Sequence, residues 1–286
     1  MSAKAIISLQ DASVSYDNSF SLAATTLSVQ PGEKVAIVGS SGAGKSTLLR
    51  LLFEKHKNHA ALVPQDDGLV ETLSVFHNVY MGRLEDHPSW YNLLNLARPF
   101  AARVAEVQAI LKPLSLDEKC FTPVASLSGG QKQRTAVARS MYHGGDALLA
   151  DEPVSAVDES QAENILLLLT QHFSTMIVAL HDTRLALQCC DRIIGLKAGV
   201  ITLDLPSANL SATDLQQLYI DEPKPQPEPQ RGTGSALCPL ENQLDIFRLS
   251  CGLSMVCRCQ YQQPGSVGRV TPYGDRPAHT FFIRSV

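Results

Sequence analysis

Long hydrophobic runs are absent from the sequence. The longest strongly apolar run, residues 165–169, is far shorter than the roughly 18–20 apolar residues that a membrane-spanning helix needs. The first nine residues also lack the apolar stretch of about 7–15 residues and the cleavage site of a secretory signal. We therefore expect the chain to stay in the cytoplasm and to reach a membrane only by binding a partner there.

Signs of a disulfide framework and of excess positive charge are also lacking. The seven cysteines are odd in number and scattered, so we expect reduced thiols. Cys257 and Cys259 have one residue between them, whereas paired zinc ligands are typically separated by two to four. The formal net charge is -4, so no global basic field indicates nucleic acid, and we expect no nucleic-acid partner.

Strand-like and helix-like patterns alternate along most of the chain. Hydrophobic residues make up 44 % of it, which is enough for a packed core. Short apolar runs predict buried strands at Val35–Val38, Ala60–Val63, Ala147–Ala150, Met176–Leu180 and Arg192–Leu196. Helical spacing falls between them, at Ser46–His56, Gln131–Tyr142, Gln161–His172 and Thr183–Cys189. This order predicts an α/β fold with a mainly parallel sheet.

Two segments depart from this alternation. Residues 66–130 predict an inserted helical subdomain, with helical patterns at Val75–Arg83, Trp90–Leu96 and Ala101–Leu114. Residues 222–230 read E-P-K-P-Q-P-E-P-Q, and alternating proline predicts an extended linker. We therefore predict a domain over residues 1–222, a linker over 223–230, and an extension over 231–286 that carries no motif and that we expect to be poorly ordered.

A glycine-rich run between a strand and a helix fits the phosphate-loop pattern G-x-x-x-x-G-K-[ST]. Its glycines let backbone N–H groups turn towards phosphate oxygens, and the helix N-terminus adds about half a positive charge. Lys45 should reach the β- and γ-phosphates of ATP, and Ser46 should ligate Mg²⁺. The predicted nucleotide-binding residues of the run are Gly39, Ser40, Ser41, Gly42, Ala43, Gly44, Lys45, Ser46 and Thr47.

Two acids end the apolar run that begins at Ala147. At this strand end Asp151 can hold Mg²⁺, directly or through water. Glu152 can orient or deprotonate the attacking water, a general-base role worth about 10²–10⁴ in rate. Taken alone the pair could simply end a strand, but beside a phosphate loop it indicates a catalytic site.

A second glycine-rich helix start lies at residues 127–131, Leu-Ser-Gly-Gly-Gln. Ser128 is placed like an N-cap, and Gly129 and Gly130 leave backbone N–H groups free for an anion. One chain needs only one phosphate loop, so the second anion site indicates a head-to-tail pair. ATP would then lie between Lys45 of one copy and Ser128 of the other, in two equivalent sites.

With these motifs in this order over roughly residues 4–220, the chain resembles the ATPases of ABC transporters. The resemblance implies a P-loop NTPase core of the RecA-like type. It implies that Tyr16 stacks on adenine, that Gln65 touches Mg²⁺ and water, and that His181 is the switch residue at the γ-phosphate. The signature residues of the facing chain are then Leu127, Ser128, Gly129, Gly130 and Gln131, and the loop that crosses the dimer includes Ser155 and Asp158.

The resemblance completes the expected site. Taken singly, Tyr16 could be an ordinary strand aromatic, Gln65 a solvated loop residue and His181 a surface histidine; their order and setting favour the functional assignment. The predicted catalytic residues are Lys45, Gln65, Glu152 and His181, and the predicted metal ligands are Ser46, Gln65 and Asp151.

One departure from the family concerns the spacing of two motifs. Only 20 positions separate Lys45 from Gln65, whereas members of the family usually have about twice that, including a small antiparallel β region. We expect a reduced β region beside the adenine and intact hydrolysis, since the catalytic residues are all present.

The segment of residues 73–96 and the run Asp191–Leu196 are similar to the importer ATPases for phosphonate and related oxyanions. This resemblance implies membrane-spanning permease subunits, a solute-binding protein, a second ATPase copy, and a peripheral place on the inner face of the cell membrane. Three alternatives stay open: a soluble non-transport ABC ATPase, a small-molecule kinase and a regulatory subunit. The single ATPase domain without a heptad run argues against the first, and the signature residues argue against the second.

Overall fold

A six-stranded sheet forms the centre of the molecule. The computed structural model describes residues 5–16 and 19–216; the predicted linker 223–230 and extension 231–286 lie outside this range. The strand order is β4-β5-β6-β3-β7-β8, with every neighbouring pair parallel except β7 and β8. The strands are β3 Lys34–Val38, β4 Ala60–Val63, β5 Ala147–Asp151, β6 Thr175–Ala179, β7 Arg192–Lys197 and β8 Val200–Pro206. The predicted mainly parallel α/β fold is confirmed.

Both faces of the sheet are buried, which explains the uninterrupted apolar runs in its strands. Along β3, Ala36 and Val38 belong to one core cluster, while Val35 and Ile37 belong to the other. The first cluster lies among the helices that follow β4, and the second includes α1 and the strands before β3. Helices on both faces are α1 Lys45–His56, α5 Gly129–His143, α6 Glu159–His172, α7 Thr183–Cys189 and α8 Ala212–Gln216.

The helical segment between β4 and α5 has the predicted character with different bounds. Its helices are α2 Val75–Tyr80, α3 Ser89–Ala97 and α4 Ala101–Leu111. The helix expected to reach Arg83 ends at Tyr80 and continues as a 3₁₀ turn over Met81–Asp86, while the helix expected to reach Leu114 ends at Leu111. Within the described ranges, no helix is both long enough and apolar enough to cross a bilayer.

A two-stranded antiparallel sheet, β1 Ile7–Tyr16 and β2 Ser19–Val29, precedes the central sheet. Helix α1 ends at His56, and β4 begins at Ala60, so the first helix runs almost directly into the strand before Gln65. The ring nitrogen Nε2 of His56 lies 3.1 Å from the amide N and 3.0 Å from the carbonyl O of Ser8. The end of α1 is thereby bound to β1.

Candidate nucleotide site

The phosphate loop turns sharply between β3 and α1. Gly39 has φ 152°, and a Cβ built on it would lie 2.2 Å from the carbonyl O of Leu196, so no side chain fits there. Gly44 has φ 101° and precedes α1 without a side-chain cap. The start of α1 therefore has no N-cap side chain, and a glycine-rich turn that leads into a helix N-terminus is typical of phosphate-binding sites.

Lys45 is buried and folds back over this loop. Its Nζ donates to the carbonyl O of Gly39 at 2.8 Å and of Ser40 at 3.0 Å. A cleft opens beside it, and the predicted Gln65 and Glu152 lie on the same cleft. Its lining comprises Ser41, Gly42, Gly44, Lys45, Ser46, Thr47, Gln65 and Glu152. The structure thus brings three of the four predicted catalytic residues to one place.

Asp151 is a buried carboxylate at the end of β5. Its Oδ1 atom has no hydrogen-bond partner among the described residues, and the hydroxyl of Ser46 hydrogen-bonds to this carboxylate. Burial raises the pKa of Asp151; the hydrogen bond from Ser46 opposes that rise, and the neighbouring charge of Glu152 adds to it. Mg²⁺ prefers oxygen ligands, and the described residues offer it this carboxylate oxygen beside a hydroxyl group.

Glu152 and His181 form a close pair at the ends of adjacent strands. Glu152 follows β5 and His181 follows β6 after one residue, so parallel pairing brings them to the same sheet edge. The Nε2 atom of His181 lies 2.6 Å from Oε1 of Glu152. Glu152 has φ 52°, a conformation that costs a non-glycine residue about 1–3 kcal/mol and that is concentrated at functional sites. Its side chain is only 15 % exposed, so it is held in place beside the cleft.

The signature residues lie at the start of α5, away from this cleft. Ser128 caps the helix: its Oγ accepts from the Gln131 N–H at 3.3 Å, and Oε1 of Gln131 accepts from the Ser128 N–H at 3.0 Å. Ser128 and Gly129 are exposed, and Leu127 is buried in the core. None of residues 127–131 lines the phosphate cleft, so within the described part of one chain the two predicted anion sites are separate.

The loop assigned to the dimer interface follows Glu152. Ser155 and Asp158 are both exposed. Asp158 caps α6 by accepting from the Gln161 N–H at 3.0 Å, so its carboxylate has a structural role in the single chain. Hydrogen bonds from Gln161 and Ser160 lower the pKa of the exposed Asp158 carboxyl group. A Cβ on Gly130 would lie 2.9 Å from the carbonyl O of Ala156, which brings the signature and this loop into close contact.

Gln133 is a residue that sequence reasoning missed. It is buried, and its Nε2 donates to the carbonyl O of Glu152 at 2.8 Å and to Oγ of Ser155 at 3.0 Å. Its Oε1 accepts from the Ala156 N–H at 2.9 Å. The sequence shows only that a polar residue stands two positions after the signature. The structure adds that this residue lies on the buried face of α5.

The outcome for Tyr16 is different. Its backbone ends β1, and its side chain lies outside the described part of the structure, so adenine stacking stays a prediction. The other predicted positions, from Gly39 to His181, fall within the described residues.

Comparisons with known proteins identify the relatives of this chain. A family model described as ABC transporter matches residues 22–155. The phosphonates import ATP-binding protein PhnC 1 of Pseudomonas syringae pv. tomato is 37 % identical over 225 residues, which cover 68 % of this chain and 84 % of that protein. The protein of the same name from Pseudomonas aeruginosa is 36 % identical over 235 residues, covering 72 % and 87 %.

Solved structures are similar over most of their length. The dimeric structure of a bacterial ABC transporter cassette has a TM-score of 0.62 and 25 % identity, covering 70 % of this chain and 98 % of that one. A dimeric post-hydrolysis state of an ATP-binding cassette bound to ADP and Pi has a TM-score of 0.60 at 25 % identity, with the same coverage. The chain therefore belongs to the ABC transporter family, as one of its ATP-binding, ATP-hydrolysing proteins.

Proposed function

We propose that this chain powers an importer of phosphonate or of a related small solute. The observation that carries the proposal is the similarity, over 68 % of the chain, to a protein named for phosphonate import. The helical segment supports it, because an importer ATPase must meet its membrane partner through a surface outside the nucleotide site. The chain would then work at the inner face of the cell membrane, held there by permease subunits and served by a solute-binding protein.

The residues of the cleft divide the chemistry of hydrolysis between them. Glu152 takes the proton of the attacking water or orients that water, and its short contact with His181 fixes the direction of the carboxylate. Lys45 turns from the carbonyl groups of Gly39 and Ser40 to the phosphates of ATP, and His181 faces the γ-phosphate. The phosphate loop holds the nucleotide through its backbone N–H groups.

Mg²⁺ fits the donor set at the end of β5. Ser46, Asp151 and Gln65 would hold the ion, since Oδ1 of Asp151 is unpartnered in the described structure and Gln65 lies on the same cleft. When bound, the ion neutralises charge that develops on the phosphate oxygens. Asp151 contributes a buried carboxyl group that is hydrogen-bonded to the hydroxyl of Ser46.

We propose further that the complete site needs two copies of the chain. The cleft contains no signature residue, and the signature start of α5 is exposed and ready to meet a nucleotide held by another chain. Ser155 and Asp158 would lie where the two copies cross. Closure of the pair then excludes water and completes the ring of groups around the γ-phosphate.

The helical segment offers a surface for the permease. Helix α3 exposes Trp90, Leu93 and Leu94, at 65 %, 67 % and 52 % of their full area. These residues have the i, i+3, i+4 spacing of one helix face, and such apolar faces mark protein interaction sites. An apolar helix of a membrane-spanning subunit is the partner that this proposal requires.

Co-purification from membranes tests the proposal. The tagged chain is isolated in detergent, and its ATP turnover is measured with binding proteins loaded with phosphonate or with unrelated solutes. A membrane-embedded partner, with turnover raised by the phosphonate-loaded protein alone, is the expected result. A steady ATPase without any partner would instead favour a soluble non-transport ABC ATPase.

A further inference from the structure

A side chain in the middle of α5 contacts the loop that follows Gln65. Arg139 donates from Nη1 to the carbonyl O of Gly68 at 2.6 Å and from Nη2 to the carbonyl O of Asp67 at 2.7 Å. Two consecutive carbonyl groups therefore occupy both arms of one guanidinium fork. This planar, five-donor geometry is specific to arginine, because the ammonium group of lysine is a compact point charge.

The backbone of the loop is bent to make this contact. Asp67 has φ 52° and Gly68 has φ 56°, so two left-handed residues follow one another. That conformation is unfavourable for Asp67, which carries a Cβ, and it persists only where the surroundings hold it. Gly68 also lies against the guanidinium, since a Cβ there would be 3.4 Å from Nη2 of Arg139.

The charges around the contact are consistent with a held loop. Arg139 is half-buried; burial lowers the pKa of its guanidinium, and the nearby Asp67 carboxylate opposes this. The guanidinium of arginine is not deprotonated in proteins, so it stays a donor despite this burial.

Helix α5 is itself fixed on both sides of Arg139. Towards its start, Gln133 is hydrogen-bonded to the turn of Glu152. Beside Arg139, a Cβ on Gly82 would lie 2.6 Å from the Arg139 carbonyl O, so the 3₁₀ turn after α2 packs directly on this part of the helix. The helix cannot shift at Arg139 without disturbing these contacts.

We infer that Arg139 is a positioning residue, which holds the loop of residues 66–68 on α5 so that Gln65 stays at the phosphate cleft. The same helix holds the Glu152 turn through Gln133, so α5 fixes two catalytic groups relative to each other. Arg139 does not itself line the cleft. The inference rests on the role proposed above for Gln65, and its test separates the two.

The test compares Arg139→Ala, Gln65→Ala and the double variant in steady-state ATP turnover of the purified chain. We expect Arg139→Ala to lower kcat roughly 10- to 100-fold, since a small displacement of a catalytic group has an effect of that order. KM for ATP should change less than about twofold, and the Mg²⁺ concentration for half-maximal rate should rise. If Arg139 acts through Gln65, the double variant loses no more than Gln65→Ala alone.

Arg103→Ala is the matched control. Like Arg139, Arg103 makes several hydrogen bonds through its guanidinium, in this case to the Tyr91 hydroxyl and the Glu106 carboxylate. It lies on α4 and makes no described contact with residues 66–68. Its kcat should equal that of the unchanged chain. Arg139→Lys keeps the charge and can reach one carbonyl, so its kcat should fall between the unchanged chain and Arg139→Ala. This milder variant carries the comparison if Arg139→Ala does not fold.

Two results would overturn the inference. Unchanged kcat in Gln65→Ala would remove the proposed role of Gln65 and this inference with it. A large loss in Gln65→Ala, combined with unchanged kcat in Arg139→Ala or with additive losses in the double variant, would remove the positioning role of Arg139 alone.

Discussion

Helices α1 and α5 both begin at glycine-rich turns, yet their N-termini are built differently. Helix α1 follows Gly44 without a side-chain cap, and its first residue is the buried Lys45. Helix α5 follows Ser128, which forms a reciprocal pair of hydrogen bonds with Gln131. The first helix has no side-chain cap at its start, while the start of the second is capped by its own residues and remains exposed.

This difference assigns separate tasks to the two starts. A helix N-terminus in a polar cleft is stabilised when an anion binds, so the start of α1 is suited to hold phosphate. A capped, exposed start is stable without a ligand, which suits a surface that meets nucleotide only when a second copy approaches. Changes near the start of α1 should therefore affect binding and chemistry, and changes at the start of α5 should affect completion of the site.

The largest expected effect is a loss of ATP hydrolysis when the site on the α1 side is changed. Glu152→Gln should lower ATP turnover by about 10²–10⁴, because the amide cannot accept the proton of the attacking water. ATP should still bind, and a closed dimer should accumulate, which light scattering with and without ATP measures. Glu159→Gln is the control, since Glu159 is an exposed carboxylate at the start of α6 that pairs with Arg184. Normal turnover in Glu152→Gln would remove Glu152 from the catalytic role.

A second change near α1 should stabilise the chain while stopping its activity. Because burial raises the pKa of Asp151 in the folded state, the charged carboxylate opposes folding above its ordinary pKa. Asp151→Asn should therefore raise Tm without nucleotide and Mg²⁺ at neutral pH. The gain should shrink as pH falls through the raised pKa, where the native carboxyl becomes neutral too. A lower Tm in Asp151→Asn at neutral pH would contradict the assigned burial cost.

The smallest expected effect concerns the cap of α5. Ser128→Ala removes the hydroxyl that accepts from Gln131, and loss of such a cap typically costs about 1 kcal/mol of the free energy of unfolding. Ser41→Ala, an exposed serine of the phosphate loop, should change it by less than about 0.5 kcal/mol because no cap is lost at α1. Urea unfolding of both variants without nucleotide measures the difference. Equal losses would show that the two helix starts are not distinct in this way.

The sequence was most informative where one local pattern determines one element. The phosphate loop, the parallel strands and the acids at the end of β5 follow from glycine spacing and apolar runs, and the structure places them as expected. Helix Thr183–Cys189 has the predicted bounds, because Asp182 caps its start and a strand follows soon after its end.

The sequence was least informative where contacts between distant segments decide the structure. Strand β8 was missed because it has no buried apolar run: its residues are exposed or half-buried, and they pair antiparallel with β7 at the sheet edge. The roles of Gln133 and Arg139 depend on backbone carbonyl groups that come from other loops, and no spacing rule reveals such partners. The end of α2 at Tyr80 follows from the close packing of Gly82 on α5, which periodicity alone does not show.

Cross-linking between copies tests the central claim, that ATP lies between α1 of one copy and α5 of another. Chains carrying Ser41→Cys are mixed with chains carrying Ser128→Cys and oxidised with and without Mg-ATP, on a Glu152→Gln background that preserves the closed state. Each chain oxidised by itself is the control, because it shows any cross-linking through the native cysteines. We predict a covalent dimer that forms in the mixture and requires ATP. A mixture that cross-links no more than either chain alone, with ATP bound, would contradict the shared site.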